Sequence, residues 1–269
     1  RTGSAIFRKD PDFARNRLVE QIGEKKSKIN IFSLIQKVTE SYALPVRDNV
    51  DFTRRLEDVA KKQSEIAKKY PRILEEFRDI IGGEYRIIRG ELVFIPQKGK
   101  KVRLSMGESS SAVRSLLDIG FYLRHIAKPG DMLMIDEPEL NLHPENQRRI
   151  ARLIARLINI GIKVFITTHS DYIIKELNTL IMLNQPDKEI QQIREAEGYK
   201  EGELISSDKI KVYMTKTDMV LLDGHKRKTK ILTLVKADID PVFGIEAETF
   251  DKTIDDMNRI QDAIIFCGS

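Results

Sequence analysis

Apolar residues recur along this chain in several rhythms. From Phe52 to Ile80 they alternate spacings of four and three: Phe52, Leu56, Val59, Ile66, Tyr70, Ile73, Phe77 and Ile80, with Gln63 as the polar exception. That heptad seam predicts helix, opened by Asp51 as N-cap and interrupted at Pro71 by a kink or a second helix. It fits either an arm that pairs with another helix or a bundle helix facing its own core. Long coiled coils need more than about four heptads, which favours the bundle. A looser helical spacing runs through residues 11–43 and ends at Leu44-Pro45, where the residue before proline avoids the α region. Gly82-Gly83 stops the heptad helix, and Tyr85–Ile88 and Leu92–Ile95 flank Arg89-Gly90 as a hairpin.

A different rhythm governs Met132–Ile135 and Lys163–Thr167. Both are short apolar runs bounded by turn residues, which predicts strands of a parallel sheet buried on both faces. Between them Pro144 suits the first turn of a helix that runs to about Asn159, with Gly161 as its C-cap. Ile150, Leu153, Ile154, Leu157 and Ile158 form its packing face. Arg148, Arg149, Arg152 and Arg156 lie mostly on the other face and read as solvated. Strand, helix, strand implies a right-handed crossover, which brings Asp136, Glu137 and His169 to one carboxyl edge.

Residues 104–127 begin with a small polar run and continue directly as a helix with Val113, Leu116, Leu117, Gly120, Phe121, Leu123 and Ile126 on its apolar face. Ser105, Gly107 and Ser109–Ser111 are expected at that helix's N-terminus. Residues 185–203 read as a loop or weak helix. Lys211–Thr215 and Lys230–Val235 predict an antiparallel pair around Asp223-Gly224. Residues 248–265 predict an amphipathic helix on Phe250, Ile254, Met257, Ile260 and Ile264.

Composition narrows the class. With 269 residues, 41% hydrophobic and 32% charged, the chain fits a globular protein rich in surface charge. A net charge of +5 permits nucleic acid or an acidic protein as partner without arguing for either. Cys267, the single cysteine, excludes an intrachain disulfide and fits the reducing cytoplasm. No apolar run approaches the roughly 20 residues that span a membrane. The opening RTGSAI is a poor natural start, and the expectation is that an N-terminal part lies outside this sequence.

Candidate chemistry concentrates at the strand ends. Asp136 and Glu137 suit a division of labour, one holding Mg²⁺ as a hard oxygen ligand and the other orienting and deprotonating a water. An acidic surface turn would look the same. Free N–H groups at a helix start favour an anion, so Ser105 and Gly107 could face a phosphate; an ordinary Ser-rich cap also accounts for them. His169 alone reads as structural, but beside the acidic pair it becomes a candidate phosphate contact. The basic cluster Lys98, Lys100, Lys101 and Arg103 reads first as a solvated loop. Asp136 and His169 could belong to a hydrolase triad, but no nucleophile turn supplies the third member.

Three motifs in order carry a family resemblance. LSMGE (Leu104–Glu108) resembles the ABC-family signature LSGGQ, MLMIDEP (Met132–Pro138) its Walker B strand, and FITTHS (Phe165–Ser170) its switch-histidine loop. LNLH (Leu140–His143) stands at the D-loop. The wording is similar to stand-alone ATPases of the SMC, RecF and OLD-nuclease group, including ATPases of bacterial anti-phage defence systems of PARIS-like type.

The resemblance implies an α/β fold: the C-terminal lobe of an ABC-type P-loop ATPase head, with a parallel sheet and a helical insertion. It implies residues 1–81 as the insertion or arm, 82–183 as the ATPase lobe and 184–269 as a β-hairpin and helix completing the head. By the same resemblance the cofactors are ATP and Mg²⁺. Asp136 would hold Mg²⁺ through water, Glu137 would polarise the attacking water and His169 would contact the γ-phosphate. Ser105, Gly107 and Glu108 would bind nucleotide held by an opposite subunit, with Asn141 in the dimer interface.

Implied partners are a second copy, an effector protein and DNA, with no membrane. Met106 and Glu108 depart from LSGGQ, and His143 replaces a frequent Asp. No G-x-x-x-x-G-K-[ST] loop occurs in the sequence, so a P-loop lobe is expected from the missing part or another chain. An ATPase-like scaffold holding an effector, a DNA-repair ATPase and an OLD-type nuclease are the alternatives. The nuclease is disfavoured because the tail after residue 183 is short and lacks a convincing acidic cluster.

Overall fold

The computed structural model of the chain describes residues 56–98, 102–221, 224, 227–245 and 248–266, with backbone alone for 248–254. The helical run at 11–43, Asp51 and Phe52, the basic residues Lys100 and Lys101, and the Asp223 of the second turn lie outside the described residues. The described residues fall into two compact units, 56–74 with 83–127 and 75–82 with 128 onward.

In the first unit the heptad run is not one helix. It forms α1 (Leu56–Val59), α2 (Glu65–Lys69) and α3 (Pro71–Ile81), the last continuing into the second unit. The first break lies at Ser64, whose backbone is extended. Its hydroxyl accepts from the Ala67 N–H at 2.8 Å and donates to the Leu123 carbonyl at 2.6 Å. A continuous helix would forfeit both bonds, and Ser64 is buried. The second break is the expected one: Pro71 opens α3, where its missing N–H costs nothing. Leu56, Ile66 and Ile73 are buried, as the bundle reading requires.

β1 (Gly83–Ile88) and β2 (Glu91–Pro96) pair antiparallel from Gly83↔Pro96 to Ile88↔Glu91. Arg89 and Gly90, at φ 54° and 81°, supply the left-handed pair that a tight hairpin turn needs. The short β3 (Leu104–Ser105) adds to β2, with Val93 opposite Ser105. The helix expected directly after the polar run is instead α4 (Ser111–Ser115) and α5 (Leu117–His125), separated at Leu116. Tyr85 joins this sheet to the helices. Its ring centroid lies 5.8 Å from that of Phe94 and 6.1 Å from that of Phe121, and its hydroxyl donates to the Val113 carbonyl at 2.5 Å.

In the second unit β4 (Met132–Asp136) and β5 (Lys163–Thr167) run parallel, in register from Met132↔Lys163 to Asp136↔Thr167. The crossover helix α6 (Pro144–Asn159) is capped by His143, and the left-handed Gly161 lies just past its end. Ile150, Leu153, Ile154 and Leu157 are buried as expected.

The strands are not buried on both faces. Ile135 is buried, but Met132, Met134 and Phe165 are more than half exposed. The period of two sends Met132 and Met134 to one face, and no other strand pairs with β4 or β5 among the described residues.

α7 (Asp171–Met182) packs on α6 through Ala151, Ala155, Ile173, Leu177 and Ile181. Here the arginines of α6 depart from expectation. Arg148 and Arg152 each place Nε 2.5 Å from a different oxygen of Glu176, which is 2% exposed on α7. Arg152 also lies 4.0 Å over the Tyr199 ring, Arg156 pairs with Glu76, and Arg149 pairs with Glu145 at 2.5 Å. Arg148, Arg152 and Arg156 thus tie α6 to neighbouring helices, whereas the Arg149 pair lies within α6 and is exposed, as expected.

The weak stretch after α7 contains α8 (Lys188–Ala196), capped by the Asp187 carboxylate. β6 (Tyr213–Val220) and β7 (Thr229–Lys236) form the expected antiparallel pair, each strand longer than the pattern indicated, and the two-residue β8 (Ile239–Asp240) and β9 (Gly244–Ile245) follow. α9 (Glu248–Phe266) ends the described residues. No helix among them is long and apolar enough to cross a membrane.

Candidate nucleotide site

The site is built at the carboxyl ends of β4 and β5. Asp136 is the last residue of β4, directly opposite Thr167. The Thr167 hydroxyl donates to the Asp136 carboxylate, fixing one oxygen and leaving the rest of an exposed group to solvent. Thr167 also anchors the next residue: the Glu137 N–H donates to its carbonyl at 3.0 Å and lies 3.3 Å from its hydroxyl.

Glu137 has φ +48°, a left-handed conformation uncommon outside glycine and asparagine. The kink turns the chain off the strand and aims successive carboxylates differently. Held strain of this sort points to function. Glu137 is partly exposed, and its Oε1 lies 3.8 Å from Nε2 of His169, whose side chain is 88% exposed.

The loop after Glu137 closes against the loop after β5. Pro138 is fully buried. Glu139 turns inward, where its Oε1 accepts from the His169 N–H at 2.7 Å. Asn141 takes φ +64°, a conformation its short amide side chain tolerates. Two residues on, His143 accepts from the Glu145 N–H at 3.3 Å through its Nδ1 as the helix cap.

Thus Asp136, Glu137 and His169 come together as the sequence predicts, with Asn141 on the same loop. Thr167, Glu139 and Gln147, whose Oε1 accepts from the Ser170 hydroxyl at 2.5 Å, were not anticipated. Thr167 could have been found as the polar residue ending the partner strand. Glu139 and Gln147 act through backbone geometry that composition does not encode.

Ser105, Gly107 and Glu108 belong to the other compact unit. Ser105 ends β3, Gly107 sits in the turn that follows, and the helix begins only at Ser111. The loop closes on itself. Glu108 Oε2 accepts from both the N–H and the hydroxyl of Ser105, each at 2.8 Å. These bonds hold the Glu108 carboxyl below its ordinary value, the backbone bond first and the hydroxyl second. The buried Ser109 donates its hydroxyl to the Ser105 carbonyl at 2.8 Å.

Magnesium takes oxygen ligands, usually one or two carboxylates completed by water and phosphate. Asp136 fits that role. Among the described residues no three His, Cys, Asp or Glu side chains gather as a metal cage, so phosphate oxygens would have to complete the shell.

The profile of the AAA ATPase domain matches residues 12–174, more than half of the chain. The chain belongs to this family. The family binds ATP, typically with Mg²⁺. Among solved structures, one from work on ATP-driven dimerization and DNA-stimulated activation of SMC ATPases is similar at 16% identity and a TM-score of 0.39, covering 79% of this chain and 96% of that one. No curated protein matches.

Proposed function

We propose that this AAA-family chain hydrolyses ATP as part of an ABC/SMC-type head that pairs around the nucleotide and switches a bound effector, in the cytoplasm of a bacterium defending itself against phage. The observation that carries the reading is the meeting of Glu137 and His169, 3.8 Å apart beside Asp136 at the ends of two parallel strands. Phosphoryl transfer needs positioning and charge neutralisation more than covalent chemistry. Bound Mg²⁺ would neutralise phosphate charge next to Asp136. Glu137, turned outward by its left-handed backbone, would orient a water and take its proton. His169, exposed and anchored by its backbone, would donate to a phosphate oxygen. Asn141 would face a second copy, and Ser105, Gly107 and Glu108 would meet the nucleotide held by that copy. A phosphate-cradling loop would come from another lobe, and the helices α1 to α3 would belong to the helical insertion. The resemblance of IDEPELNLHP and TTHSDYIIKELN to ATPases of anti-phage defence systems supports the defence role.

In the complete protein Glu137→Gln is expected to lower ATP turnover by about 10²–10⁴-fold while ATP is still bound. Turnover equal to wild type would remove Glu137 from the chemistry. One observation favours a catalytically weak scaffold instead. The Ser105 hydroxyl is already bound to Glu108, and a carboxylate there repels phosphate. Wild-type protein that binds ATP without measurable turnover would select that reading.

A further inference from the structure

We infer that Glu139 and Gln147 are positioning residues that clamp the switch loop, Thr168–Ser170, onto the loop after β4 and thereby set His169 beside Glu137. The catalytic consequence rests on the ATPase reading; the clamp itself does not. An imidazole that is 88% exposed is not placed by packing, so its position is set by its backbone.

That backbone is held on both sides. The His169 N–H donates to Glu139 Oε1 at 2.7 Å. The next residue, Ser170, donates its hydroxyl to Gln147 Oε1 at 2.5 Å, and the same oxygen of Ser170 accepts from the Ile173 N–H at 3.2 Å to start α7. The other end of the Gln147 amide donates to the Leu142 carbonyl at 2.9 Å. One side chain of α6 therefore joins the two loops. Its direction is determined, because only the NH₂ can serve a carbonyl and only the oxygen can take a hydroxyl proton while that hydroxyl caps a helix.

Glu139 has a further mark of a fixed group. Its second oxygen, Oε2, is buried with no hydrogen-bond partner among the described residues. Leaving a carboxylate oxygen there is costly. The group faces the switch loop and is not spread into solvent as a surface acid would be. On the ATPase reading Asp136 and Glu137 do the chemistry, while Glu139, two residues on, fixes the loop that faces them.

The test compares wild type with Glu139→Ala, Glu139→Gln and Gln147→Ala in the complete protein. Amide hydrogen exchange across residues 168–172 and steady-state ATP turnover are both measured. Either alanine variant is expected to speed exchange at the His169 amide and lower kcat about 10–100-fold, the size of a misplacement near 1 Å. KM for ATP should change less than about threefold, because a group set for the transition state moves kcat and leaves uniform binding alone.

Glu139→Gln keeps an acceptor for the N–H and should recover most of the exchange protection and kcat. Alanine variants with wild-type exchange overturn the clamp. A Glu139→Gln enzyme as slow as Glu139→Ala also overturns it, since charge and not the anchor would then be required. If wild-type protein binds ATP without measurable turnover, the ATPase reading fails. The exchange data still decide the clamp in that case.

Discussion

In sequence α6 and α9 are the same kind of object, amphipathic helices with apolar residues at spacings of three and four. In the fold they part. Ile150 and Leu157 of α6 are 2% and 1% exposed, whereas Ile260 and Ile264 of α9 are 51% and 70% exposed. The difference lies in what returns over each face. A strand and a helix follow α6 at once, across Gly161 and then across the three-residue switch loop, and both pack on it. α9 comes last among the described elements. Periodicity is a local property and dictates the helix, while burial depends on residues distant in sequence. The helix that is covered is also the one that carries the site, through His143 at its start and Gln147 one turn later.

The largest expected effect tests how α6 is held. Replacing Arg148 and Arg152 together by alanine strands the Glu176 carboxylate, 2% exposed, without its partners. Stripping a buried charge of its partners costs about 3–5 kcal/mol. Glu176→Gln should cost clearly less, because both arginines are partly exposed and can return to water. Denaturant midpoints of the two variants check the asymmetry. Equal losses would mean that the arginines, and not the carboxylate, are the buried partners.

Next in size is Leu157→Ala. It deletes a fully buried side chain from the centre of the α6 face and should cost about 2–5 kcal/mol by the same measurement. A loss under about 1 kcal/mol would mean that this face collapses freely around a cavity and is not tightly packed.

A smaller effect belongs to the first unit. His125 donates from Nδ1 to the Lys62 carbonyl at 2.6 Å and lies 5.3 Å from the Phe121 ring. Burial pushes its pKa below the ordinary 6.5, and the Lys62 carbonyl opposes that shift while the Arg124 charge adds to it. The folded state therefore takes up the proton later than the unfolded chain as pH falls. This contribution is complete above about pH 6.5 and is lost as pH drops from there through the lower folded value. His125 is partly exposed, so solvent screens the effect and ranks it below the two core changes. Denaturant midpoints at pH 7.5 and 5.5 should fall closer together in His125→Asn than in wild type.

The sequence was most legible where a local rule sufficed. The parallel β4 and β5, α6 with its cap and stop, the Arg89-Gly90 hairpin and the β6–β7 pair follow from period, proline and glycine. The meeting of Asp136, Glu137 and His169 follows from crossover handedness. What stayed illegible depended on tertiary partners. Ser64 breaks the heptad because its hydroxyl finds a carbonyl in α5, and Met134 is bare because nothing described pairs beyond β4. Arg148 and Arg152 of α6 looked solvated until Glu176 stood opposite them. The signature loop shows the same limit at short range: Glu108 reads as a substitution for Gln, but its carboxylate closing on Ser105 is a matter of geometry.

The smallest expected effect returns to α9. Ile260→Ser and Ile264→Ser remove apolar area that is already in water, so neither should move the denaturant midpoint by more than about 0.5 kcal/mol. Both helices carry isoleucines, and the contrast between Ile150→Ala, at 2% exposed, and Ile260→Ala, at 51%, isolates burial from residue type. Serine also lowers helix propensity by a few tenths of a kcal/mol relative to alanine, so Ile260→Ala serves as the control for that component. A loss of 2 kcal/mol or more from either serine variant would show that the face is covered in solution. Repeating the measurement over a hundredfold range of protein concentration then identifies the cover. A midpoint that rises with concentration assigns it to a second copy, and one that does not move assigns it to the same chain.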